Sequence, residues 1–249
     1  MGAGRLSRVG RFGLGAAKPA MSAAADWNVR FDGPRPAADQ MAFDERLAGL
    51  ARPVVRFFTW SPPAVSFGFK QPRPAWAGVE LVERPTGGGI AFHGSDVSMS
   101  VTIPRSWAHP LEAIMRLIGQ SAVRLCAAYG VDAISIGEVA AQERIDYCLT
   151  QPSSYAVWAG QRKIAGYALR RFPASWLIQG SLLVRPLPAV LTRQLPQALV
   201  AALERQAVPL LELSRHGVSE QDVARYWSER WVSWWPMWTS GKSSAVIRV

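Results

Sequence analysis

Apolar residues recur at helical spacing in a few stretches of this chain and cluster at strand spacing in most of the rest. Met41, Phe43, Leu47 and Leu50 fall roughly one helical turn apart after a proline-rich lead-in, which predicts a short amphipathic helix over residues 38–50. Residues 54–60 and 64–69 are β-rich runs separated by Ser61-Pro62-Pro63, the pattern of two strands around a turn. Residues 80–85, 90–93 and 97–103 extend the strand-rich region, punctuated by Gly87-Gly88-Gly89. Leu111, Ile114, Met115, Ile118, Ala122 and Leu125 make one apolar stripe ended by Gly130, so residues 110–129 are expected as a long helix covering one face of a sheet. Strands are expected again over 155–158, 163–172 and 176–184, and helices over 187–206 and 219–235.

Clustered strands flanked by helices, without regular alternation, imply an α+β fold with a mixed, mostly antiparallel sheet. The 249 residues are 49% hydrophobic and 18% charged, enough apolar material for one sizeable core. One domain over residues 26–249 follows, with its core at about 38–206 and a helical tail over 207–249. No run approaches the roughly 18 uninterrupted apolar residues that a membrane-spanning helix needs.

Residues 1–25 are rich in Ala, Gly and Arg and hold no acidic residue, which fits a disordered leader, a transit peptide or a start placed upstream of the true one at Met21. The two cysteines, Cys126 and Cys148, stand far apart with no C-x-x-C and no partnered histidines. Neither a disulfide framework nor a metal site is suggested, and a reducing, cytoplasmic setting is expected, or an organelle if the leader is a transit peptide. The net charge of +10 is spread along the chain, which favours an acidic protein partner over nucleic acid or a membrane.

Three stretches carry candidate chemistry. Arg84-Pro85-Thr86-Gly87-Gly88-Gly89 follows a strand, and its glycines allow backbone N–H groups to approach a ligand, although such a run alone also serves as a flexible loop. In Lys163-Ile164-Ala165-Gly166 a lysine sits inside an apolar strand, where burial is costly unless the ammonium meets an anion or a polarised carbonyl. The bland alternative is an edge lysine facing solvent. Gln179-Gly180-Ser181-Leu182-Leu183 places small residues ahead of an apolar strand and could wall a narrow tunnel.

Taken in order with Met41-Ala42-Phe43-Asp44-Glu45 and Trp60-Ser61-Pro62-Pro63-Ala64-Val65-Ser66, these stretches resemble the catalytic domain shared by lipoate-protein ligases, octanoyltransferases and biotin protein ligases. The resemblance covers nearly the whole chain. It implies an acyl pocket in which the glycine loop faces the carboxyl end of the chain and Lys163 hydrogen-bonds its carbonyl, with Arg84, Thr86, His93, Gly166, Gly180 and Ser181 around it.

Cys148, in Cys148-Leu149-Thr150-Gln151-Pro152-Ser153-Ser154-Tyr155, resembles the Cys-x-x-x-Pro-Ser-x-Tyr segment of the cysteine octanoyltransferases, and His93-Gly94-Ser95-Asp96 resembles their His-x-x-Glu. The implied activity moves an octanoyl or lipoyl group from acyl carrier protein, through a Cys148 thioester, to a lysine of an acidic lipoyl-acceptor domain, with no cofactor. Gly89 departs toward the ligases, which would need ATP and Mg. A non-catalytic basic binding protein on the same scaffold is the third reading, and Cys148 together with Lys163 argues against it.

Overall fold

The computed structural model describes residues 27–107, 110–137, 145–215, 217 and 219–234. The expected leader therefore lies outside the described residues. The described chain runs β1 (Asn28–Arg35), α1 (Ala37–Ala48), β2 (Val54–Trp60), β3 (Ala64–Phe67), β4 (Glu80–Glu83), β5 (Ala91–His93), β6 (Asp96–Pro104) and α2 (Leu111–Ala128). It continues through β7 (Ile134–Ser135), β8 (Val157–Ala159), β9 (Arg162–Arg171), β10 (Ser175–Leu183), α3 (Ala189–Thr192), α4 (Gln197–Gln206), α5 (Leu210–Leu213) and α6 (Glu220–Trp234).

The large sheet has the order β1-β2-β6-β10-β9-β8-β7, and only β1 with β2 is parallel. A small sheet, β4-β3-β5, lies beside it. The expected mixed, mostly antiparallel α+β architecture is what forms.

Strand alternation decides where the site lies. Along β6, Val97, Met99, Val101 and Ile103 join the main core with Ile114, Ile118 and Leu125 of α2. The alternate residues Asp96, Ser98, Ser100 and Thr102 point to the opposite face, because successive side chains on a strand change sides. They are equally buried. In β2, Val55 and Phe57 likewise enter the main core while Arg56 does not, and in β10 Ile178 and Leu182 do while Gln179 and Ser181 do not. One face of the sheet is thus an ordinary helix-covered core, and the other is buried and polar. A buried polar face is expensive unless every group finds a partner, so it is where a functional site is to be sought.

Three sequence expectations are corrected. Asn28–Arg35 was not expected as a strand: only Asp32 among its residues is buried, and it is held by parallel pairing to β2. The two-residue β7 was likewise unforeseen. The helix expected over 187–206 is two helices, because Pro196 starts α4 and a proline cannot continue a helix through its own missing N–H. In the tail, α6 buries Trp227 and Trp231 in the main core, where Phe57 meets them at ring-centroid distances of 5.0 and 5.8 Å. It is an integral layer of the fold.

Candidate functional site

Cys148 reaches the glycine loop through the backbone. The Ile90 amide donates to the Asp146 carbonyl at 2.7 Å, and the Cys148 amide donates to the Ile90 carbonyl at 2.8 Å. This short parallel contact requires glycine at position 89, where a Cβ would stand 2.7 Å from the Ile145 carbonyl oxygen and 2.8 Å from the Asp146 carbonyl carbon. A side chain there would push the cysteine segment away. Gly166 on β9 gives the sulfur its room in the same manner, since a Cβ there would lie 2.8 Å from Sγ.

Two buried cations flank this cysteine. The Lys163 ammonium donates to the Cys148 carbonyl at 2.6 Å, to the Gln151 carbonyl at 2.9 Å and to Ser153 Oγ at 2.8 Å. Its three hydrogens are thereby matched, and they fold the segment 148–153 around the nitrogen. Arg84 donates from Nη2 to the Gly87 and Gly89 carbonyls, each at 2.6 Å, and from Nη1 to the Ser66 carbonyl at 3.2 Å and Ser66 Oγ at 3.3 Å. Among the described residues no carboxylate pairs with either cation. Burial pushes the Arg84 guanidinium down to about 10 and lowers the Lys163 ammonium, and negative charge on Cys148 offsets the shift at both. Cys148 thus lies beside two buried cations that no described carboxylate pairs.

On the far wall, His93 is fixed from three sides. Its Nδ1 lies 2.9 Å from Asp96 Oδ2, its Nε2 lies 2.8 Å from Ser66 Oγ, and its ring stacks on Trp60 at 3.9 Å between centroids. Asp96 also accepts from Ser98 Oγ at 2.9 Å, Ser181 Oγ at 2.7 Å and the Gly94 amide at 3.1 Å. Burial alone would raise the Asp96 carboxyl, but the charge and hydrogen bond of His93 and the bonds from Ser181 and Ser98 outweigh it and lower it.

Deeper in the polar face, Thr86 Oγ1 donates to Gln179 Oε1 at 2.7 Å, and Gln179 Nε2 donates to Asp44 Oδ2 at 2.7 Å. Asp44 pairs with Arg56 at 2.7 Å, and Arg56 pairs with Asp32 of β1 at 2.6 Å and bonds Gln40. Such a chain of satisfied charges fixes the floor of the site.

A cavity of about 400 Å³, counting its open mouth, lies between these walls. Arg84, His93, Cys148, Gly166, Gly180 and Ser181 line it, together with Met41, Phe58, Trp60 and Met99. Of the residues expected in the site, Lys163 stands behind Gly166, where an added Cβ would meet its Nζ at 3.3 Å, the Gly87 and Gly89 carbonyls hold Arg84, and Thr86 bonds Gln179, which lines the cavity. Ser66 and Asp96 are the functional candidates that sequence reading missed as a unit with His93, although both lay in stretches already singled out. Among the described residues no cluster of His, Cys, Asp or Glu could hold a metal ion, and no helix is long and apolar enough to cross a membrane.

The chain matches the model of the lipoyl protein ligase A/B catalytic domain over residues 36–230. It is 33% identical over 180 residues to a protein named octanoyltransferase LipM from Symbiobacterium thermophilum, a match covering 64% of this chain and 65% of that one. A protein of the same name from Moorella thermoacetica is 30% identical over 218 residues, covering 76% of this chain and 78% of that one. The chain thus spans just under two thirds of the length of the Symbiobacterium relative, and more of the Moorella one. Among solved structures, protein Ta0514 from T. acidophilum superimposes with a TM-score of 0.66 at 18% identity, over 86% of each chain. A lipoate-protein ligase A bound with ATP superimposes at 0.61 and 20% identity, over 81% of this chain and 83% of that one.

Proposed function

Because this chain belongs to the lipoyl protein ligase A/B catalytic-domain family, we propose that it is an octanoyltransferase working through a thioester on Cys148. The octanoyl (or lipoyl) group comes from acyl carrier protein and passes to a lysine of a lipoyl-acceptor domain. The observation that carries this reading is the placement of Cys148 on the cavity wall with Lys163 and Arg84 as its unshared cations. The relatives named octanoyltransferase support the octanoyl transfer itself.

In the first step the Cys148 sulfur attacks the carbonyl of the donor thioester, the C–S bond to the carrier breaks, and the carrier leaves as a thiolate that takes up a proton. In the second, the acceptor lysine nitrogen attacks the Cys148 thioester and loses a proton, and Cys148 leaves as a thiolate. One thioester is exchanged for another and then for an amide, so no ATP is consumed. Negative sulfur is present at the start of the first step and the end of the second, and buried cations stabilise it at both. Lys163 also fixes the position of Cys148 by holding the carbonyls of residues 148 and 151.

Both protein partners are expected to be acidic. Beside the glycine loop Lys70 and Arg73 are exposed, and Arg170 lies 3.4 Å above the Phe69 ring with its Nη1 on the Pro85 carbonyl. This basic rim suits an acidic domain that must bring its acyl chain or its lysine to the cavity.

The test is the complete reaction. With octanoyl carrier protein and a lipoyl-acceptor domain, and without ATP, the acceptor should gain one octanoyl group. Acceptor that is modified only when ATP, Mg and free octanoate or lipoate are supplied would instead support the ligase reading, to which Gly89 points.

A further inference from the structure

An acceptor lysine is ammonium at neutral pH, with an ordinary pKa of about 10.4, and its nitrogen must shed protons to become an amide. Some group in the cavity has to receive the proton lost on attack. Lys163 as an ammonium is a donor without a lone pair, and its three hydrogens are committed. Arg84 is donor-only as well. Tyr167, which also lines the cavity, is a weaker acid than usual because it is buried, and its neutral hydroxyl is a poor base. His93 is left.

The hydrogen bonds around His93 line up as a relay when its hydrogen sits on Nδ1. Arg84 Nη1 can only donate, so it uses a lone pair of Ser66 Oγ at 3.3 Å. Asp96 Oδ2 accepts the Nδ1 hydrogen of His93 at 2.9 Å while taking bonds from Ser98 and Ser181. In the tautomer that carries its hydrogen on Nδ1, Nε2 accepts from the Ser66 hydroxyl 2.8 Å away. The stacking of the ring on Trp60 prevents it from turning off this axis. Ser66 and His93 both line the cavity that holds the Cys148 sulfur. Nucleophile-side hydroxyl, imidazole and carboxylate in this order are a proton-accepting relay.

We propose that Ser66, His93 and Asp96 form the general-base relay for the second half of the reaction. The acceptor ammonium first gives one proton to solvent; as the neutral nitrogen then adds to the Cys148 thioester, its second proton passes to Ser66 Oγ while the Ser66 proton passes to His93 Nε2. Asp96 holds the resulting imidazolium. The C–S bond then breaks and the electron pair returns to Cys148, leaving the amide on the acceptor. His93 gives its proton back to the cysteine sulfur or to solvent before the next cycle. The relay rests on the thioester chemistry proposed above and assigns that chemistry its base.

The two half-reactions separate the ideas. Enzyme is loaded with octanoyl carrier protein, freed of donor, and mixed with a lipoyl-acceptor domain, and octanoyl on each protein is followed by mass. Ser66→Ala and His93→Ala should load with a single octanoyl group but discharge to the acceptor about a hundredfold or more slowly, the size of effect that a positioned base supplies. Added imidazole should restore part of the rate to His93→Ala and none to Ser66→Ala with His93 intact. Should His93→Ala fail to fold, Ser66→Ala, which loses only a hydroxyl, decides alone. Loaded variants that discharge at the wild-type rate overturn the relay and leave the thioester intact. A wild type that never loads overturns the thioester reading itself.

Discussion

The Cys148 sulfur and the Gly166 backbone are in such close contact that a Cβ on Gly166 would stand 2.8 Å from Sγ. Sulfur and methyl cannot share that space, and the same Cβ would meet the Lys163 side chain at 3.2 Å. Gly166→Ala should therefore move the thiol off the cavity wall while leaving the sheet paired. Acyl loading of Cys148 should fall about a hundredfold, as for a reacting group misplaced by roughly an ångström, with thermal stability lowered by only a few degrees. Loading kinetics and a melting curve on the same sample check both halves.

Lys163→Ala removes an ammonium that satisfies two carbonyls and one hydroxyl. Each acceptor left without a donor costs about 1–3 kcal/mol where water cannot replace it, so the variant should be destabilised and its 148–153 segment should exchange amide hydrogens faster. Transfer should fall about a hundredfold or more from loss of the cation beside the reacting sulfur. Near-native turnover in a folded variant would place Lys163 outside the chemistry.

The expected strands and helices were readable because their apolar faces are continuous, as in β6 and α2. By contrast, Asn28–Arg35 has almost no buried side chain of its own, and what holds it is a ladder to β2 and the Asp32–Arg56 pair, 24 residues apart. No local pattern encodes that. The break at Pro196 is written in the sequence, but the apolar spacing continues on either side of it and masks the boundary between α3 and α4. In the site, Cys148, Lys163, Arg84 and the glycine loop were legible as motifs. The triad was not, because Ser66 and His93 are 27 residues apart and meet only through the pairing of β3 with β5. The three polar positions Asp96, Ser98 and Ser100, alternating with apolar ones in a strand buried on both faces, were the available signal.

Asp96 should leave a signature in the pH dependence of stability. Its carboxyl is lowered in the folded protein, so its contribution is present above the unfolded carboxylate value of about 3.9 and is lost as pH falls through the lower folded value. Asp96→Asn should cost about 1.5–3 kcal/mol near neutral pH, the range for hydrogen bonds to a charged group. The gap from wild type should close toward pH 3 and below in urea titrations. A constant gap from pH 7 to pH 2.5 would show that the carboxylate charge contributes nothing.

Lys70→Glu with Arg73→Glu reverses charge on the rim beside the glycine loop without touching the cavity. The apparent second-order rate with an acidic carrier protein should fall and lose most of its salt dependence, since steering acts over a Debye length of about 8 Å at physiological ionic strength. A wild-type rate that is flat from low to high salt would remove the case for acidic partners.

The central claim is that Cys148 carries the acyl group. Intact mass after mixing the enzyme with octanoyl carrier protein alone, without ATP, should show one added octanoyl group that hydroxylamine removes. Cys148→Ser should show no such thioester, because a hydroxyl is a far weaker nucleophile. Cys126→Ser should still load, since that thiol is fully buried in the main core and pushed up to about 12 by burial. Wild type that stays unmodified with the carrier protein, yet modifies an acceptor when given ATP and free lipoate, would contradict the account and make Cys148 a wall of the pocket.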